Sequence, residues 1–340
     1  MKAIQVQSPG KVRLVDVPVP HPNPEQVLLR VRMVGLCGTD LSTFRGSNPL
    51  VSYPRILGHE IAATVESRTV AGGTTIEAGT NVTVSPYKSC GACAACRRAR
   101  PNACRFNETF GVQRDGAMTE LIVAPPEKVY PAEGLRLEDL VLVEPLTIGF
   151  HAVARGRVSA ADTVAIFGCG GVGLGAIAGA ARRGARVIGI DVDDAKLSLA
   201  QAAGAAHAIH SQREPLHEQL QNLTGGHGPD VVIEAIGLPA TFRSAVEEVA
   251  FTGRVVYIGY AKEPVSYETR FFVQKELDII GSRNAAPEDF PSVIAMLQQG
   301  AFPVQNAISK IVPFADAGAA LEEWSANPTK FSKIVIRIDT

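Results

Sequence analysis

The chain has 340 residues, enough for two domains of ordinary size, each burying a real core. Thirty-three Lys and Arg stand against 34 Asp and Glu, a net charge of -1, which leaves no large net charge to drive binding to nucleic acid or an anionic membrane. With 46% hydrophobic and 20% charged residues the composition is that of a folded soluble protein, and six cysteines in 340 residues do not make a small secreted disulfide scaffold.

In chain order, Met1-Lys-Ala-Ile-Gln-Val shows no apolar run followed by a small-residue cleavage site. No signal peptide is expected, and the cytoplasm is the expected setting, where thiols stay reduced and serve as metal ligands or catalytic groups. The first stretch, to about residue 145, is expected to be short strands punctuated by Pro and Gly. Val27–Val34 and Asn81–Ser85 are strand-like, and Pro18, Pro20, Pro22 and Pro24 keep the segment before the first of them extended. From about 160 the pattern changes to strands alternating with Ala-rich helices. Strands are expected at Val164–Phe167, Arg186–Asp191, Pro229–Gly237, Gly253–Gly259 and Glu276–Gly281, and helices at Val172–Arg183 and Ala195–Ala203. That alternation points to βαβ units and a parallel, doubly wound α/β sheet. Thr163–Ala181 is uncharged over 19 residues but carries six glycines, so a strand, a tight turn and a buried helix explain it better than a membrane span. The tail, Lys333–Ile338, alternates polar and apolar like a half-buried antiparallel strand and is expected to return to the first domain.

Gly168-x-Gly170-x-x-Gly173 follows a strand, opens a helix, and is succeeded 18 residues later by Asp191 at the end of the next strand. In that context the glycines serve a dinucleotide: Gly168 for the tight turn, Gly170 for close approach of the pyrophosphate, Gly173 for close packing of helix on strand. Asp191 accepts hydrogen bonds from ribose hydroxyls and repels a 2′-phosphate, and Val192 rather than an arginine follows it, so NAD is favoured over NADP. Gly171 and Val172 in the turn, and Ile236 and Ile258 after two later strands, complete the expected cofactor-binding set. A ligand-free strand–helix turn is the alternative.

Cys90-x2-Cys93-x2-Cys96-x7-Cys104 places four thiols within one short segment, enough to complete a tetrahedral structural zinc site. An iron–sulfur cluster uses the same ligands. Arg97, Arg98, Arg100 and Arg105 raise a nucleic-acid-binding zinc module, although the rest of the chain shows no matching basic stripe, so no nucleic-acid partner is expected. Cys37, His59, Glu60 and Glu144 lie in separate segments. Each has a plain reading, as a small core residue, loop polar groups and a surface acid before Pro145. Together they are the donor types of a catalytic zinc that keeps one position open, although spacing alone does not bring the segments together.

Taken with their order, Gly-Leu-Cys37-Gly-Thr-Asp, Gly-His59-Glu60, the four-cysteine segment, Glu144-Pro, the glycine loop, Asp191 with Lys196, and Asp230-Val-Val-Ile-Glu-Ala-Ile-Gly resemble the zinc-containing medium-chain dehydrogenases over nearly the whole chain. The segments Asn48–His59 and Gly281–Phe290 are similar to the polyol and L-galactonate 5-dehydrogenase branch. The resemblance implies a Rossmann domain at 147–289, inserted into a mainly β, chaperonin-10-like catalytic domain at 1–146 and 290–340 that carries a zinc lobe. It implies a catalytic zinc at Cys37, His59, Glu60 and Glu144, a structural one at Cys90, Cys93, Cys96 and Cys104, and Lys196 on the ribose beside Asp191. It further implies a small polyol or sugar-acid substrate held in a cleft between the domains, no membrane partner, and a homodimer or homotetramer. Many members carry a histidine where this chain has Ser42, so the proton relay is expected to run through Thr39 and water. Phe44 and Arg283 are the candidate substrate contacts, Arg283 as a bidentate partner for a carboxylate. An L-threonine 3-dehydrogenase, another alcohol dehydrogenase, a zinc-free quinone reductase and a non-catalytic NAD-sensing zinc protein are the competing readings.

Overall fold

The computed structural model describes residues 1–71 and 74–338. The chain divides into two compact units, one of Met1–Glu144, Phe290–Gln299 and Val304–Thr340, the other of Pro145–Asp289 and Gly300–Pro303.

The first unit is mainly β. Its largest sheet among the described residues has seven strands, with Val27–Gly35 at the centre. Alternate side chains of this strand, Val27, Leu29, Val31 and Met33, are fully buried, which is the period-2 pattern of a strand with one face on the core. Glu60–Val65 pairs antiparallel along one side of it, with Gly35 opposite Glu60. On the other side lies the tail strand Ile334–Arg337, also antiparallel, with Val335 opposite Gly35. The tail differs from the expected half-buried alternation: Lys333, Ile334, Val335 and Ile336 are all buried, because this strand has a partner on both sides and Lys333 has a buried anion to meet. The pairing at Gly35 thus brings Glu60, Lys333 and the residues following Gly35 to one end of the sheet.

The second unit contains a six-stranded sheet in the order His207–His210, Arg186–Asp191, Thr163–Phe167, Val231–Glu234, Arg254–Tyr257, Asp278–Gly281, and every pair is parallel. The inner strands are near-continuous apolar runs, as parallel strands covered on both faces must be. The strand order reverses at Thr163–Phe167, whose neighbours are the second and fourth strands of the sheet; ligands bind such sheets at the carboxyl edge of that switch point. The helix Gly171–Arg182 follows directly. Thr163–Ala181 therefore forms strand and helix, and among the described residues no helix is long and apolar enough to cross a membrane.

Candidate active site

The four clustered cysteines converge. Cys93 caps the one-turn helix Ala94–Arg97, a 3-10 turn at Pro101–Ala103 delivers Cys104, and Tyr87–Lys88 pairs with Glu108–Thr109 beneath the loop. The Sγ–Sγ separations are 3.5 Å for Cys93–Cys96, 3.6 Å for Cys90–Cys104, 3.8 Å for Cys93–Cys104 and 4.0 Å for Cys90–Cys96. A tetrahedron with zinc–sulfur bonds of about 2.3 Å has edges of about 3.8 Å, so four thiolates at these separations fit one zinc with no position left over. Backbone N–H groups of Cys93 and Phe106 donate to the sulfurs of Cys90 and Cys104, and such donors hold the Cys93 thiol down at about 6. That favours the thiolate form a metal requires.

In the same unit Cys37, His59 and Glu60 offer a sulfur, a nitrogen and an oxygen within 4.8 Å of one another. Cys37 leaves the end of Val27–Gly35 and stands at the start of the short helix Gly38–Phe44. Asp40, wholly buried, ties the two loops together: its Oδ2 accepts from the Cys37 backbone N–H at 2.9 Å and its Oδ1 from that of Gly58 at 3.3 Å. His59 Nδ1 is buried without a hydrogen-bond partner, 3.9 Å from Asp40 Oδ1. Burial disfavours the His59 imidazolium, but the charges of Asp40, Cys37 and Glu144 outweigh it and hold the group well above its ordinary value. The half-buried sulfur of Cys37 and the buried nitrogen and carboxylate of His59 and Glu60 are together the donor types that fit zinc.

Glu144, on the first turn of the helix Val143–Arg155, is buried nearby but outside this three-donor grouping. The buried Tyr87 hydroxyl donates to its Oε1, and burial, partly offset by His59, pushes the Glu144 carboxyl up to about 7. Glu60 has its own partner: Lys333 Nζ donates to Oε1 at 2.5 Å and Oε2 at 2.7 Å. Neither Tyr87 nor Lys333 carried a motif, and both enter the site only through the fold.

In the second unit the glycine loop sits where the strand order reverses. A Cβ on Gly173 would lie 1.8 Å from the Gly168 carbonyl oxygen, so only glycine fits there. A Cβ on Gly170, at the start of the helix, would meet nothing within 4 Å, leaving the space a phosphate needs against the helix N-terminus. Asp191 ends its strand with Oδ2 accepting from the Cys169 N–H at 2.8 Å and Oδ1 from the Val192 N–H at 2.7 Å, which fixes the carboxylate beside the glycine turn. Lys196 lies on the first turn of Asp194–Ala202. The apolar residues Val192, Ile236, Leu238 and Tyr260 are exposed just past the carboxyl ends of three strands, and Ile258 is half-buried beside them. Of these five apolar residues the sequence pattern marks only Ile236 and Ile258 for the cofactor; exposed apolar groups at a strand edge are visible only once the sheet is formed. Gly173→Ala is expected to weaken NADH binding at least about tenfold and to cost ~1–3 kcal/mol of stability, because a methyl group there overlaps backbone; titration of NADH fluorescence and thermal melting check both.

Residues 23–134 match the alcohol dehydrogenase GroES-like domain and residues 171–299 the zinc-binding dehydrogenase domain. The chain is 31% identical to L-galactonate-5-dehydrogenase of Escherichia coli K12, covering 99% of this chain and 98% of the relative. The chain belongs to the zinc-type medium-chain alcohol dehydrogenase family. Sorbitol dehydrogenase of Bacillus subtilis is 32% identical over 91% of this dehydrogenase and 89% of its own length. Among solved structures, the Escherichia coli alcohol dehydrogenase rspB, complexed with NADH, superposes with a TM-score of 0.89 at 28% identity over 99% of both chains. The dehydrogenase is thus an oxidoreductase of the alcohol and polyol type, from a family that works with zinc and a nicotinamide dinucleotide.

Of the remaining candidates, Thr39 Oγ1 lies 3.7 Å from Cys37 Sγ. Phe44 is buried in the apolar core of the first unit, packing among residues such as Leu36, Leu41 and Leu57, and is not part of the donor cluster. Arg283 is exposed, two residues past the edge strand Asp278–Gly281 of the second unit.

Proposed function

We propose that the dehydrogenase oxidises a secondary alcohol of a polyol or sugar acid, a hexitol or an aldonate such as L-galactonate, to a ketone with NAD. The Cys37–His59–Glu60 cluster carries this reading: it supplies mixed sulfur, nitrogen and carboxylate donors, as a catalytic zinc site does, whereas the four-thiol lobe is closed. When bound, zinc polarises the substrate hydroxyl and the dinucleotide takes the hydride from the carbinol carbon, while the hydroxyl proton leaves to solvent.

The chain's own residues do the rest. Cys37, His59 and Glu60 would hold the ion, and Asp40 keeps the two loops in register. Tyr87 orients Glu144 by donating to its Oε1. Ser42, whose hydroxyl donates to the Thr39 carbonyl at 2.9 Å, is used in the helix backbone. The Thr39 hydroxyl beside Cys37 is therefore the carrier for the departing proton. Gly168, Gly170, Gly171, Val172 and Gly173 receive the pyrophosphate, and Asp191 with Lys196 receives the ribose.

Asp191→Ser is expected to lower kcat/KM with NAD by about 10–100-fold, the worth of a charged hydrogen bond, and to raise the relative use of NADP. Initial rates with both dinucleotides measure it. For the substrate, Arg283→Ala is expected to raise the KM of an aldonate more than that of a neutral hexitol, because only the former offers a carboxylate. Equal increases on both count against that contact. Hexitols, aldonates and threonine assayed side by side test the whole reading; turnover confined to threonine defeats the polyol assignment.

A further inference from the structure

We propose that Arg114, with Lys128 beside it, receives the anionic end of the substrate, the carboxylate of a sugar acid or the phosphate of a polyol phosphate. This rests on the alcohol oxidation of the preceding subsection and deepens it. It adds to Arg283 an anion contact on the unit that carries the metal donors.

Arg114 is a half-buried cation with unspent hydrogen-bonding capacity. Of the five N–H donors of its guanidinium, one on Nη2 goes to the Pro86 carbonyl at 3.1 Å, while Nε is buried without a partner. Its Cζ stands 3.7 Å from the centroid of the buried Phe110 ring, so the group is held against an aromatic face. The chain fixes this placement locally. The Arg114 carbonyl accepts from the Gly111 N–H at 2.8 Å, and the Gln113 side chain accepts from the Thr109 N–H at 2.9 Å, which closes 109–114 into a tight loop. Thr109 in turn pairs with Tyr87.

Lys128 is a second half-buried cation at the same place. Its carbonyl accepts from the Ser85 N–H at 2.9 Å, so Lys128 and Arg114 are anchored on consecutive residues, Ser85 and Pro86. Burial holds both groups below their ordinary values, and at Lys128 the charge of Arg114 adds to the fall that Glu127 opposes. The carboxylate whose charge reaches Arg114 is that of Glu108, which is committed to Lys88 at 2.8 Å. Two like charges, half-buried and side by side, call for an anion, and a guanidinium fork suits a carboxylate or a phosphate. The site also lies within reach of the metal donors. Pro86 is followed by Tyr87, whose hydroxyl donates to Glu144. The path from Arg114 to Glu144 is therefore one peptide unit and one tyrosine side chain, a span comparable to an extended hexitol.

Zinc-loaded enzyme assayed with saturating NAD on a neutral hexitol, an aldonate and a hexitol phosphate tests the assignment. In R114Q the ratio of kcat/KM for the anionic substrate over that for the neutral one is expected to fall about 10–100-fold, the worth of a charged hydrogen bond, with the change carried by KM. R114K keeps the charge but loses the fork, and is expected to recover part of the ratio. K128Q is expected to lower the ratio by less, and keeps the test open if R114Q does not fold. Inorganic phosphate is expected to compete with the anionic substrate, and to do so more weakly in R114Q. The anion with the larger ratio in the parent enzyme tells carboxylate from phosphate. A ratio left unchanged by either substitution, or phosphate inhibition indifferent to Arg114, overturns the proposal, because a guanidinium that merely packs on Phe110 affects neutral and anionic substrates alike. A parent enzyme inert to every polyol and sugar acid is a different result and defeats the oxidation itself.

Discussion

Replacing Cys37 by Ser is expected to lower kcat/KM by about a thousandfold or more while leaving the affinity for NADH unchanged. The two units explain the split. Cys37 belongs to the donor cluster of the first unit and supplies its one sulfur among the described residues. A hydroxyl in its place remains protonated and is a poor zinc ligand, so the Lewis-acid contribution of several kcal/mol is lost, and each ~1.4 kcal/mol is tenfold in rate. The glycine turn and Asp191 belong to the second unit and form their own hydrogen bonds, Asp191 to Cys169 and Val192 backbone N–H groups, without any part of the cluster. Steady-state kinetics, NADH titration and metal analysis of the same preparation measure the effect. The expected metal content falls by one ion per chain, with the cysteine-lobe ion retained.

Replacing Cys104 by Ser is expected to have the opposite profile, a loss of folding stability first and of activity only as a consequence. Cys104 is the one fully buried thiol of its cluster, and its sulfur approaches Cys90 at 3.6 Å and Cys93 at 3.8 Å while accepting from the Cys90 and Phe106 backbone N–H groups. The lobe it organises has little apolar core of its own: the helix Ala94–Arg97 buries no residue, and Arg97, Arg98, Arg100 and Arg105 are exposed around it. Metal binding would then supply most of what folds this segment. A loss of ~4 kcal/mol corresponds to a fall in Tm of about 6 °C for a chain of 340 residues. Thermal melting with and without a chelator checks it, and the chelator is expected to shift the parent protein and to have little further effect on the variant. Unchanged melting in a variant depleted of zinc contradicts the structural role.

Much of the site was legible in the sequence because its chemistry is local. Cys90 to Cys104 lie on one loop, so their spacing alone constrains a metal site. Gly168 to Gly173 and Asp191 lie on adjacent strand–turn segments, so a pattern about 20 residues long describes their geometry. The segments carrying Cys37 and His59-Glu60 were visible only as separate fragments, and it is the pairing of Gly35 with Glu60, with Asp40 spanning both loops, that brings them together. The partners of the carboxylates were not legible. Tyr87 sits in a two-residue strand, and Lys333 begins a tail whose alternation is that of a half-buried antiparallel strand, which gives no sign of a buried lysine; each reaches the site from far along the chain. The helix Val143–Arg155, which carries Glu144, was hidden by Pro145 and Gly149, yet proline is well tolerated in a first helical turn. The strand His207–His210 is too short, and too rich in histidine, to show an apolar period.

The most direct test of the account is turnover measured against metal content. Protein with two zinc ions per chain is predicted to reduce NAD on addition of a hexitol or aldonate, followed by absorbance of the reduced cofactor. Selective removal of the ion bound through Cys37 is predicted to abolish that reaction, and restoring zinc to recover it, with the lobe ion and the melting profile unchanged throughout. Full turnover after that ion has been removed contradicts the account.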